Sequence, residues 1–286
     1  FFLNDDYRAR NDYSLEEIVK EFSLTPSELI ELKSYCDSQG IDFSSTPFEH
    51  SQVDNLISLD VPFIKIASMD LNNDYLLRYA ANTGKTVLLS TGFATLEEIG
   101  HAVSTIENTG NRNIVILHCV SIYPPNDNQV NLNNMDMLRH AFGYPVGFSD
   151  HTLGIEISLA AIAKGAVILE KHYTLDKDMF GWDHKISAEP DEMATLVRGA
   201  ERIFNALGST QRLPPEDPSR KSEYRRSIVS ARDIKKGEVI GQADITYRRP
   251  GTGLGPNADA LLIGSTARNN IKADTILNLS EFELSD

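Results

Sequence analysis

The stretch PVGFSDHTLGIEISLAAIAKGAVILEKHYT, residues 145–174, decides the fold. A short β-type run, Pro145–Phe148, ends in Ser149, Asp150 and His151. An apolar helical stretch around Ile155–Ala163 follows and stops at Gly165. A second β-type run, Val167–Lys171, then ends in His172, Tyr173 and Thr174. A strand followed by a helix and another strand forms one parallel crossover unit, with both strand ends on the same side.

Working outward, the same theme recurs. Strands are predicted at Ile41–Ser45, Phe63–Ala67, Thr86–Ser90, Asn113–His118, Pro145–Phe148 and Val167–Lys171. The helices between them carry start signals, Thr95 with Glu98 and Thr25–Pro26 with Glu28, and stops at Gly40, Gly110 and Gly165. Alternating strand and helix implies an α/β fold with a parallel sheet, which is either an open doubly wound sheet or a closed barrel. The strand ends favour the barrel. Each runs into a polar cluster, and only a (β/α)8 TIM barrel brings all such ends to one mouth; an open sheet gathers those near its switch point. Six units at roughly 30 residues each fall two short of eight. The expectation is a barrel without its first two strand-helix units, with residues Phe1–Asp12 as a polar loop and helices at Ser14–Phe22 and Pro26–Ser38.

After Gly208 the pattern changes. Residues 209–221, with Pro214, Pro215 and Pro218, read as a linker between a barrel domain at 1–208 and a small β-rich domain at 222–286. Short β-type runs are predicted there at Ser227–Ser230 and Ile271–Leu277, broken by turns at Lys235–Gly237 and Pro250–Gly253.

With 286 residues, 41% hydrophobic and 24% charged, the chain can bury a substantial core. A net charge of −14 argues against nucleic acid as a partner, because a phosphate backbone demands clustered Lys and Arg. No apolar run approaches the roughly 20 residues of a bilayer crossing. Phe1–Arg10 lacks the basic start and apolar core of an export signal, so a cytoplasmic protein is expected. The two cysteines, Cys36 and Cys119, read as reduced, buried thiols.

His151 and His172 end successive strands, so a barrel would point both imidazoles into one mouth, where they could ligate a divalent metal or equally make local hydrogen bonds. Lys65 lies inside an apolar strand, where a charge needs a partner or a task. It could clamp an anion, form a Schiff base with a carbonyl, or pair with a neighbouring acid. Hydroxyls recur at strand ends, at Thr46, Ser68, Ser90 and Ser149, and could cradle phosphate or carboxylate oxygens. Asp183, in the loop Met179–His184, could hold sugar hydroxyls or cap the following helix. Arg248 and Arg249 precede a glycine-rich turn in the small domain, with binding and plain solvation equally weighted.

Together these strings resemble the N-acetylneuraminate (sialic acid) synthase family, which includes nonulosonic acid and spore-coat polysaccharide synthases. The matching stretches are Ser45–Phe48, Val61–Ser68, Leu89–Gly92, Leu117–Cys119 through Tyr123–Pro124, Gly147–Thr152 and Leu169–Thr174. The tail, with Asp233–Gly237 and Arg249–Gly251, is similar to the antifreeze-like (SAF) domain that follows the barrel in that family. The resemblance implies condensation of phosphoenolpyruvate with an amino-sugar aldehyde. It implies a divalent metal on His151 and His172, typically manganese, with magnesium or cobalt as alternatives. Thr46, Lys65, Ser68, Ser90 and Ser149 would hold phosphoenolpyruvate, with Lys65 as an anion clamp; Tyr123 and Asp183 would contact the sugar. Arg249 is similar to the arginine that reaches into the partner's barrel in a domain-swapped homodimer. Ser121 stands where the family often has Asn, a shorter group that leaves room for a water. The family's first-strand glutamate and second-strand Lys–Gln pair have no counterpart in the sequence. Two rivals differ in class: a Schiff-base aldolase using Lys65, and a non-catalytic sugar-binding relative.

Overall fold

A computed structural model describes residues 21–179, 183–208 and 216–284. The chain divides into two compact units, Phe1–Gly208 and Ser209–Asp286. No helix of the described residues is long and apolar enough to cross a membrane.

The first unit is built on five parallel strands, β1 (Phe63–Ile66), β2 (Thr86–Ser90), β3 (Ile114–Cys119), β4 (Val146–Asp150) and β5 (Leu169–Lys171). Their order in the sheet is the order in the chain. A doubly wound sheet reverses at its switch point. Unbroken sequential order is the progression of a (β/α)8 TIM barrel, and these strands form an arc of one. Helices α1 (Pro26–Gln39), α2 (His50–Ser58), α3 (Asp74–Asn82), α4 (Leu96–Glu107), α5 (Asp127–Val130), α6 (Asn134–Phe142), α7 (Glu156–Ala163) and α8 (Pro190–Leu207) surround them. Thr25 and Thr95 close capping boxes with Glu28 and Glu98, satisfying the first free N–H groups of α1 and α4.

Strand alternation sorts the side chains into two faces. Ile64, Ile66, Val87, Leu89, Ile114, Ile116, Val146 and Phe148 are all buried and pack with helix residues such as Val53, Leu77, Ile106 and Leu138 in one apolar cluster. The other face carries Lys65, Ser90, Cys119, Ser149 and Glu170, brought side by side by ladder pairs such as Cys119 with Ser149 and Ser149 with Glu170. Gly147 lies on this second face, where an added Cβ would meet the Ile168 carbonyl and Leu117 Cδ2, both at 2.6 Å.

The strand predicted at Ile41–Ser45 is corrected: that segment joins no ladder. Its described link to β1 is the Ser44 hydroxyl donating to the Phe63 carbonyl at 2.7 Å. Most of the helix predicted at Ser14–Phe22 lies outside the described residues.

In the second unit β6 (Ser227–Ser230) pairs antiparallel with β7 (Ile245–Arg248), and β8 (Thr266–Ala267) with β9 (Phe282–Glu283). Short helices α9 (Lys221–Tyr224) and α10 (Asp259–Leu262) complete it. The run predicted at Ile271–Leu277 is not a continuous strand. Asp274, at φ 61°, turns the chain into the left-handed region and leaves only isolated bridges from Ile271 and Ile276.

Candidate active site

The C-terminal ends of all five strands open on one cavity of about 600 Å³. Lys65 and Ser68 reach it from β1 and the turn after it, Ser90 from β2, and Cys119, Ser121 and Tyr123 from β3 and its loop. Ser149 and His151 come from β4, Glu170 and His172 from β5, and Asp183 from the loop beyond. The spacing follows from the strands: positions 149 and 151, and 170 and 172, share a face, so Asp150 and Lys171 turn away from the cavity.

The anionic and cationic groups are already interlocked. Lys65 Nζ lies 3.2 Å from Glu170 Oε2, and the Ser149 hydroxyl donates to Glu170 Oε1 at 2.7 Å. Lys65 is thus half of an ion pair, which suits an anion clamp better than an amine nucleophile. The Gly92 N–H donates to Ser68 Oγ at 2.9 Å. The Ser90 hydroxyl is buried with no hydrogen-bond partner among the described residues. An orphaned buried hydroxyl costs roughly 1–3 kcal/mol, and a ligand oxygen in the cavity would supply the missing partner.

The two imidazoles face one another with ring centroids 5.3 Å apart, and the Tyr123 ring is 4.1 Å from that of His151. The Val120 carbonyl accepts from His151 Nδ1 at 2.9 Å. A carbonyl can only accept, so Nδ1 carries the proton and, in the neutral ring, Nε2 keeps its lone pair. Nδ1 of His172 is 3.9 Å from Asp183 Oδ2. Burial drives His172 below the ordinary imidazole value, with Asp183 opposing and the His151 charge assisting. His151 is raised: burial pulls it down, but hydrogen bonds with Cys119 and the Val120 carbonyl outweigh that pull. Burial alone would raise the Cys119 thiol; hydrogen bonds with His151, Ser68 and Ser121 bring it below its usual range. Two converging imidazoles fit a divalent cation, one that would draw its remaining ligands from water or substrate. Among the described residues no group of three or more His, Cys, Asp or Glu stands close enough to hold a metal unaided.

Of the residues singled out from sequence, Lys65, Ser68, Ser90, Ser121, Tyr123, Ser149, His151, His172 and Asp183 line this cavity. Thr46 does not; it follows the segment that joins no ladder. Arg249 belongs to the second unit, where its guanidinium lies 5.6 Å from the Tyr224 ring centroid, within cation–π range, while Arg248 pairs with Asp274 at 3.1 Å. Phe180–Trp182 lie outside the described residues. Five lining residues were missed: Ala67, Met69, Phe93, Cys119 and Glu170. Period-two alternation from His172 would have found Glu170. Cys119 is buried as expected, yet it borders the cavity, and Cys36 is only partly buried.

Residues 3–212 match the NeuB family, and residues 225–283 match the SAF domain. The chain is 38% identical over 270 residues to N,N'-diacetyllegionaminic acid synthase of Campylobacter jejuni, covering 93% of this chain and 81% of that protein. It is similar to the N-acetylneuraminic acid (sialic acid) synthetase of Leptospira borgpetersenii, solved in complex with citrate. That likeness has a TM-score of 0.68 and 39% identity, over 75% of this chain and 74% of that one. The spore coat polysaccharide biosynthesis protein of Bacillus subtilis aligns over 99% of this chain and 85% of its own, with a TM-score of 0.63 and 31% identity. The barrel arc, the row of strand-end residues and these likenesses converge: the chain belongs to the NeuB family of sugar-acid synthases and carries an SAF domain after its barrel in the sequence.

Proposed function

We propose that this chain condenses phosphoenolpyruvate with the open-chain aldehyde of an N-acetylmannosamine-like sugar, giving a sialic-acid-type 2-keto-3-deoxy acid and phosphate. The observation that carries the reading is the partnerless Ser90 hydroxyl. It faces a cavity that also holds one lysine, further hydroxyls and a histidine pair. Lys65, Ser68, Ser90 and Ser149 bind and orient phosphoenolpyruvate, Lys65 exchanging part of its contact with Glu170 for the incoming anion. Tyr123 and the half-exposed Asp183 hold the sugar. His151 and His172 would hold a divalent cation, with manganese as the expected ion, which when bound supplies Lewis-acid polarisation of the aldehyde oxygen. The phosphoenolpyruvate methylene attacks the aldehyde carbon, a carbon–carbon bond forms, and the aldehyde oxygen takes up a proton. Water adds to the former enol carbon, and the tetrahedral centre releases phosphate. A homodimer in which Arg249 reaches the partner's barrel completes the proposal.

The test is phosphate release from phosphoenolpyruvate by the full-length protein with N-acetylmannosamine and related sugars, before and after chelation and manganese restoration. Release that needs both the sugar and the ion supports the reading, and Lys65→Met should slow it about 100-fold or more. No release with any such sugar would overturn the condensation, and a borohydride-trapped pyruvate adduct on Lys65 would establish the aldolase instead.

A further inference from the structure

Each cavity histidine follows a charged residue that turns the other way. Asp150 precedes His151, Lys171 precedes His172, and Asp150 and Lys171 are directly paired across the β4–β5 ladder. Lys171 Nζ is 3.0 Å from Asp150 Oδ2, and the two side chains are 2% and 0% exposed. The ion pair is further tied down. The Thr152 N–H donates to Asp150 Oδ1 at 2.8 Å, and Lys171 Nζ donates to the Thr152 carbonyl at 2.9 Å. From α7, the Ser158 hydroxyl makes a short hydrogen bond to Asp150 Oδ2.

Stability is a poor explanation for this arrangement. Taking two ions out of water costs several kcal/mol each, and well-packed apolar residues commonly serve as well or better. What the contacts accomplish is geometric. They tie the main chain of Thr152, just after His151, to the side chain of Asp150, just before it, and couple both to the residue that precedes His172. Ser158 anchors the assembly to a helix. The backbones that carry the two imidazoles are therefore bolted together from behind, on the face opposite the cavity.

We propose that the buried Asp150–Lys171 pair is a positioning device that sets the separation of His151 and His172, and so governs the affinity of this chain for a divalent cation. The inference rests on the reading of those histidines as metal ligands. Groups that orient metal-binding histidines typically alter affinity by about 10–100-fold when removed.

The experiment measures Mn²⁺ binding to the full-length protein without substrates, by the resonance signal of free Mn²⁺, alongside thermal unfolding. Lys171→Met and Asp150→Asn are expected to weaken binding about 10–100-fold, and Ser158→Ala by a smaller factor. The double variant Asp150→Leu with Lys171→Met is expected to keep most of its thermal stability and still bind weakly, an outcome that a purely stabilising pair would not give. Lys164→Met, which breaks the part-buried pair with Asp136 at 2.7 Å, should bind as the parent does. Parental affinity in folded Lys171→Met or in the double variant would overturn the proposal. Should those variants not fold, Ser158→Ala decides it, since unchanged affinity there has the same meaning. Mn²⁺ binding that survives His151→Ala with His172→Ala, or is absent from the parent, would instead remove the ligand reading itself.

Discussion

His118 lies on the helix-facing side of β3, 5% exposed, stacked near Phe148 with its Nε2 proton donated to the Val130 carbonyl at 2.7 Å. Burial drives its pKa below the ordinary 6.5, and the bond to Val130 only partly opposes this. The folded state therefore prefers the neutral ring, while the unfolded chain is free to protonate. The associated stability is intact above the unfolded value and is lost as pH falls below it toward the lowered folded value. Urea midpoints should drop between about pH 7.5 and about pH 5.5 in the parent, and less in His118→Gln. An identical drop in both would assign the acid sensitivity elsewhere. At this scale the sequence was legible where residue type and strand phase agreed, as at Lys65, Ser90, His151 and His172. Glu170 shares that phase but reads as an ordinary surface acid until Lys65 and Ser149 are seen to bracket it.

Elements were legible where a segment pairs with at least one neighbouring strand. The strands from Phe63 to Lys171 each sit in a ladder, and their apolar alternation reports one face packed on helices. Ile41–Ser45 has the same composition without a ladder, and pairing belongs to two segments, so one segment cannot reveal it. Ile271–Leu277 fails for a local reason, since Asp274 at φ 61° interrupts the extended backbone. Gly147 tests how closely β4 must fit its neighbours. A methyl there would press on the Ile168 carbonyl and Leu117 Cδ2 at 2.6 Å, and the carbonyl is backbone within a sheet. Gly147→Ala should cost roughly 1–3 kcal/mol of stability, read as a lower urea midpoint. An unchanged midpoint would show that β4 and β5 shift apart freely, which would also weaken the case for a fixed histidine separation.

At the scale of the whole molecule, two units carry two apolar clusters with no residue in common. The barrel unit buries its cluster between sheet and helices; the small unit gathers Ile228, Ile234, Leu262, Leu277 and Phe282 between short paired strands. A cluster this size has little redundancy, and Leu277 is at its centre, fully buried, with its N–H bonded to the Ile228 carbonyl at 3.0 Å. Leu277→Ala removes three side-chain carbons and leaves a cavity, at a cost of about 2–5 kcal/mol. If the units unfold as separate cooperative bodies, calorimetry of the full chain should show one transition moved to lower temperature and the other unmoved, with Mn²⁺ affinity unchanged because both histidines lie in the barrel unit. A single transition that shifts as a whole would mean the two units melt together, and a fall in Mn²⁺ affinity would mean that the small unit contributes to holding the ion.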